Sequence, residues 1–97
     1  MKLKLIGIAC LLNATVSYAQ QGNYEKEINA LLSKMTLDEK IGQMNQLSYY
    51  ETNDQLLTQI KKGEIGSLLN IIDPVEVNKV QKTALENSRL GIPLIIG

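Results

Sequence analysis

Ile65-Gly66-Ser67-Leu68-Leu69-Asn70-Ile71, then Asp73-Pro74-Val75-Glu76, then Ile92-Pro93-Leu94-Ile95-Ile96-Gly97: these three stretches decide the fold class. The first is a short apolar run that does not alternate, the pattern of a strand buried on both faces. The second is a helix start, with Asp73 at the cap, Pro74 at the first helical position and Glu76 at the third. Val77, Val80, Ala84 and Leu85 continue along one helix face, Arg89 places a positive charge in the last turn, and Gly91 ends the helix. The third stretch reads as a second buried strand; Pro93 is tolerated there because an early strand residue can lack its amide donor. A strand over 65–71, a helix over 74–90 and a strand over 92–97 make one βαβ unit with parallel strands. The fold class is α/β.

Upstream the pattern is helical. Tyr24, Ile28, Leu31, Leu32 and Met35 recur at helical spacing with polar residues between them, an amphipathic helix. Thr36-Leu37-Asp38-Glu39 is a capping box, in which the Thr36 hydroxyl takes an orphan amide and Glu39 reaches back to the Thr36 amide. The helix it opens carries Leu37, Ile41 and Met44 on its expected inner face, and Met35 sits where it can staple against Lys40 or Ile41. Leu47-Ser48-Tyr49-Tyr50 is ambiguous between a short strand and a loop. Asn53-Asp54 begins a further helix over about 53–62, with Leu56, Leu57 and Ile60 on its apolar face. Lys61 and Lys62 suit the negative end of its dipole, and Gly63 is placed as its left-handed terminator.

Residues 1–19 read as a secretory signal peptide. Lys2 and Lys4 precede the apolar run Leu5–Leu12, and Ser17-Tyr18-Ala19 sets small residues for cleavage after Ala19. A buried N-terminal element is the alternative; the uncharged stretch is too short to span a bilayer, and Cys10 is poorly placed for a lipid anchor. Cleavage leaves residues 20–97, which hold no Cys and carry a net charge of −2. Such a chain is expected in the periplasm or outside the cell, with no membrane attachment.

The chain has 97 residues, 10 Lys+Arg against 10 Asp+Glu, and no His. That length allows one small domain at most. The neutral balance argues against a nucleic-acid partner. The lack of His excludes a Ser-His-Asp triad and a His-ligated zinc site, and a single Cys excludes an internal disulfide framework. Neither a phosphate-binding glycine loop nor a set of metal ligands is present, so no cofactor and no metal are expected. The carboxylate pairs Asp38/Glu39 and Asp73/Glu76 are explained as helix-start residues, and no catalytic residue is assigned. Asn70, near the carboxyl end of the first strand of the βαβ unit, is the one candidate substrate-binding residue, because in parallel α/β proteins the chemistry sits just past those ends. The sequence stops as the second of these strands ends, and two parallel strands cannot cover one another. A fragment of a larger α/β protein is the expectation.

Three blocks are more specific than composition. Leu31-Leu32-Ser33-Lys34-Met35-Thr36-Leu37-Asp38-Glu39-Lys40-Ile41-Gly42-Gln43-Met44 strongly resembles the opening of glycoside hydrolase family 3. Gly63-Glu64-Ile65-Gly66-Ser67-Leu68-Leu69 resembles that family's first barrel strand, and Arg89-Leu90-Gly91-Ile92-Pro93-Leu94-Ile95-Ile96-Gly97 its second. Among its members, the exported bacterial β-glucosidases are the most similar. The resemblance implies that residues 20–97 are the start of a (β/α)8 TIM-type barrel, a helical lead-in plus one βαβ unit. It also implies retaining hydrolysis, in which an Asp attacks the anomeric carbon and a second carboxylic residue protonates the leaving oxygen and then activates water. In the family both lie far downstream, and a sugar-binding Asp-x-x-His-Gly motif follows the second strand. None of these falls on a residue of this chain, so the 97-residue piece itself is expected to be inactive. The implied partner of the parent protein is an oligosaccharide or β-glucoside. A β-xylosidase or other exo-glycosidase is the neighbouring alternative. A small exported interaction module without chemistry is the alternative of a different class.

Overall fold

The computed structural model describes residues 24–97; the leader over 1–19 and its cleavage point lie outside them. Two compact units divide the chain, one ending at Lys34 and one over Met35–Gly97. Of the first, helix α1 covers residues 24–34, as its apolar spacing predicts.

The second unit runs α2 (Leu37–Met44), β1 (Gln46–Ser48), α3 (Asp54–Lys61), β2 (Ser67–Leu69), α4 (Pro74–Asn87) and β3 (Ile95–Ile96). The strands form one parallel sheet in the order β1-β2-β3, with Leu47 opposite Leu68 and Leu68 opposite Ile96. The sheet therefore holds two successive βαβ units where the sequence predicts one. The additional strand, β1, falls at the stretch that reads equally as short strand or loop; it is three residues long and only Leu47 turns inward, so it lacks the apolar run that marks β2. This is a small α/β domain. Its three strands are consistent with part of a barrel and do not themselves form one.

The core lies on one side of the sheet. Leu68 of β2 and Val80 of α4 are fully buried, joined by Ile60, Ile65, Ile71, Ala84 and Leu94. Leu47 and Ile96 from the flanking strands, Leu56 from α3 and Val77 from α4 pack around them. Side chains alternate across a strand, so Gln46, Ser48, Ser67, Leu69 and Ile95 belong to the other face; there Ile95 is 72% exposed.

Helix starts follow the sequence closely. Both arms of the capping box exist: Glu39 N–H donates to Thr36 Oγ1 at 3.2 Å, and Thr36 N–H to Glu39 Oε2 at 2.8 Å. Asn53 Oδ1 accepts from Leu56 N–H and Asp73 Oδ1 from Val75 N–H. Gly63, at φ 73°, closes α3. Its N–H donates to Ile60 O while Glu64 N–H reaches back to Gln59 O, a Schellman motif.

Four expectations are corrected. Helix α4 stops at Asn87 rather than 90, because Ser88 adopts extended backbone and its hydroxyl donates to Ala84 O. Arg89 is consequently not in the last helical turn, and Gly91, at φ 61°, belongs to the turn that follows. The strand predicted over 92–97 shrinks to Ile95–Ile96, since the backbone N–H and C=O of Leu94 are both taken by the side chain of Gln81. The strand predicted over 65–71 shrinks to Ser67–Leu69, because Asn70 turns the chain through φ 65°. Finally, Leu37, Ile41 and Met44 are not an inner face: they are 72%, 52% and 78% exposed, and the buried residue of α2 is Gly42. A Cβ on Gly42 would lie 2.8 Å from the carbonyl carbon of Gly63 and closer still to its oxygen. Helix α2 thus approaches the α3–β2 turn backbone to backbone, an approach that only glycine permits.

Candidate functional site

A parallel sheet has two chemically different ends. Loops leaving the carboxyl ends of the strands can converge on a ligand; loops at the amino ends hold the structure together.

At the amino end, α2 is braced against the chain following α4. The Arg89 guanidinium donates through Nε to Glu39 Oε1 at 2.8 Å and through a terminal nitrogen to Oε2 at 2.5 Å. Glu39 Oε2 also accepts the Thr36 amide. Hydrogen bonding from Arg89, then from the Thr36 amide, holds the Glu39 carboxyl down at about 2, and the pair raises Arg89 in turn. A cavity at this end is walled partly by Met35, Glu39, Gln43 and Arg89. Its carboxylate is already held as an anion by a bidentate partner, which suits a brace and not a proton donor.

The carboxyl end carries Tyr49 and Tyr50 after β1, Asn70 after β2, and Asp73 and Glu76 at the start of α4. Tyr49 is held by main chain and side chain. Its N–H donates to Leu69 O at 2.8 Å, its ring packs on the core, and its hydroxyl lies 3.0 Å from Thr52 Oγ1 and 3.5 Å from Glu76 Oε2. Tyr50 is 90% exposed. It opens onto a groove shared with Ser48, Glu51, Asn53, Gln55 and Gln59.

Asn70 is exposed at the rim, with its N–H donating to Gly97 O at 2.8 Å. Its left-handed backbone is a sufficient reason for Asn, whose short polar side chain tolerates that region. Asp73 caps α4, as its position predicts. The two carboxylate pairs are not brought together: Glu39 belongs to the amino end of the sheet and Glu76 to the carboxyl end. The sequence alone does not mark the tyrosines as rim residues, because the strand before them is so short. The available signal was alternation: Leu47 and Tyr49 turn to the core, and Ser48 and Tyr50 away from it.

Among the described residues there is no cluster of metal-ligating side chains, and no helix is long and apolar enough to cross a membrane.

No family model matches the chain. A periplasmic beta-glucosidase of Salmonella typhimurium is 36% identical over 69 residues, a stretch that covers 69% of this chain. The chain spans about 9% of that relative's length. What is similar is one short segment of a much longer enzyme, and the chain is glycosidase-related sequence on that ground.

Proposed function

We propose that this chain forms the opening of the catalytic barrel of an exported family 3 glycoside hydrolase, which removes terminal β-linked glucose from oligosaccharides with retention. The observation that carries the reading is the 36% identity to a periplasmic beta-glucosidase over 69 residues. The fold supports it. Three parallel strands carry their connecting helices on one face, and on the other Ile95 is 72% exposed. In a closed (β/α)8 barrel that second face points inward and is filled by side chains from the remaining strands. On this reading residues 1–19 are the export signal, cleaved after Ala19, and residues 20–97 begin the barrel.

In this chemistry a carboxylate nucleophile and a second carboxylic acid flank the glycosidic bond. We assign neither to this chain. Its part is to build the amino-terminal strands and to bring Asn70 to the rim, where the amide can donate to and accept from a sugar hydroxyl.

Reading the gene beyond the Gly97 codon tests the proposal. An Asp within a few residues, followed by His-Gly, is expected; a stop codon there in an intact gene overturns it. The protein from the intact gene should hydrolyse p-nitrophenyl β-glucoside, whereas residues 20–97 alone should give no turnover above background. Turnover by the isolated piece would refute the placement of the catalytic carboxylates outside it.

A further inference from the structure

We propose that Tyr50 is a sugar-stacking platform at the carboxyl end of β1, taking the apolar face of a neutral pyranose ring while the groove around it meets the hydroxyls. The inference rests on the glycosidase reading above for its ligand class, and on three observations for its place.

First, the Tyr50 ring is 90% exposed and stands just past the carboxyl end of β1, where parallel α/β proteins place their ligands. Second, its position is fixed by its neighbour. Tyr49 is tied by its N–H to β2, by its ring to the core and by its hydroxyl to Thr52 and Glu76. The alternation of β1 carries on past Ser48, with Tyr49 packed on the core and Tyr50 exposed. The ring is presented from a held backbone, which reduces the ordering cost of binding.

Third, the groove has the chemistry of a polyol site. Glu51, Asn53, Gln55 and Gln59 supply a carboxylate and three amides, and among the described residues no Lys or Arg lines it. Asn53 uses its oxygen to cap α3 and donates its amide to Glu51 at 3.3 Å, which sets the pair's orientation. A phosphate or carboxylate ligand would meet Glu51 without a compensating cation. A neutral hydroxyl-rich ring meets both donors and acceptors, with Tyr50 covering its C–H face.

The test uses the protein expressed from its intact gene, titrated calorimetrically with a sulfur-linked, non-hydrolysable cellotriose. Losing one aromatic stacking contact should weaken binding about fivefold to tenfold in Tyr50→Ala, and Tyr50→Trp should restore it. The thermal midpoint should not move, because the ring is exposed and is not among the side chains packed on the core. Unchanged affinity in Tyr50→Ala overturns the proposal, as does failure of the wild-type protein to bind the probe. A midpoint lowered by several degrees also overturns it, since the ring would then be covered by another part of the protein or by a partner chain. Hydrolysis of p-nitrophenyl β-glucoside is measured on the same preparation. Hydrolysis without Tyr50-dependent binding sinks the platform and leaves the proposed activity standing. Tyr50-dependent binding without hydrolysis does the reverse.

Discussion

Replacing Gly42 with Ala should destabilise the protein, although in an isolated helix the same change stabilises. The helical preference of Ala over Gly is worth about 1 kcal/mol in an interior position. Against this stands the contact with the α3–β2 turn. The added methyl carbon would sit 2.8 Å from the Gly63 carbonyl carbon and 3.0 Å from Glu64 Cα. The Gly63 carbonyl oxygen is closer still, and ordinary heavy-atom contacts are about 3.5–4.0 Å, so α2 must withdraw by more than about 1 Å. The obstacle is backbone and cannot rotate aside, which places the overpacking cost near the upper end of about 1–3 kcal/mol. Withdrawal also stretches the 2.9 Å bond from Asn45 Nδ2 to Glu64 O, worth about 1 kcal/mol. The net expectation is a loss of about 2–3 kcal/mol.

Urea unfolding of the intact protein reads this directly. Where the transition that unfolds this unit has the slope of a small domain, about 1–3 kcal/mol per molar, the midpoint should fall by roughly 1 M, and by less where a larger unit unfolds with it. Lys40→Ala, on the exposed side of the same helix, should stay within about 0.5 kcal/mol of wild type. A Gly42→Ala midpoint equal to or above wild type refutes the backbone contact between α2 and the Gly63 turn.

Glu39→Gln tests the amino-end brace through pH. The folded-state carboxyl titrates near 2, below its ordinary 4.5, so its stabilisation is complete above about 4.5 and is lost as pH falls toward 2. The wild-type thermal midpoint should therefore drop across that window more steeply than the variant's; parallel curves would refute the pairing. Gln81→Met keeps the side-chain length but removes both bonds to Leu94, leaving a nearly buried N–H and C=O unpaired, and should cost about 2–4 kcal/mol in urea midpoint terms. At Asn70, Gly should be tolerated, whereas Val should cost about 1–2 kcal/mol because the left-handed backbone crowds its Cβ. Equal midpoints for those two variants would contradict the φ of 65°.

The sequence is most legible where the physics is local. Thr36 and Glu39, Asn53, Gly63 and Asp73-Pro74 announce helix ends within a few residues of themselves, and each does so in the structure. Legibility fails where the partner is distant in the chain. Nothing near Arg89 indicates that it leaves its helix for a carboxylate fifty residues earlier. Nothing near Gln81 indicates that it binds the main chain of Leu94 and delays a strand. Gly66 resembles ordinary strand punctuation, yet a Cβ there would lie 2.6 Å from the carbonyl carbon of Gln43. Periodicity finds the apolar stripe Leu37, Ile41, Met44 but reports only that the stripe exists, not what covers it. The rim shows the same limit: the strand pattern brings Asn70 near the carboxyl end but runs through it where the chain in fact turns, while Tyr50 depends on the three-residue strand that composition obscures.

These distant contacts are not spread evenly, and their distribution has a consequence for function. Asn45 O receives both Gly66 and Ser67 N–H just before β1. The Gly42–Gly63 and Gly66–Gln43 approaches, the Glu39–Arg89 pair and the Gln81–Leu94 clamp all fall at the amino ends of the strands. At the carboxyl ends, apart from strand pairing, the described contacts are helix caps and the Tyr49 anchor, with Asn70 and Tyr50 exposed beyond them. Substitutions of Gly42, Gly66, Glu39 or Gln81 therefore break contacts between elements distant in the chain and register as lost stability. At the rim, the exposed Tyr50 can change with little effect on folding, as residues that vary with substrate must, while Asn70 can change only within what its left-handed backbone allows. This polarity arises from residues 36–97 themselves, before any relative is considered. It gives the stability measurements on Gly42 and the binding measurements on Tyr50 independent subjects: one reads the base of the sheet, the other its rim.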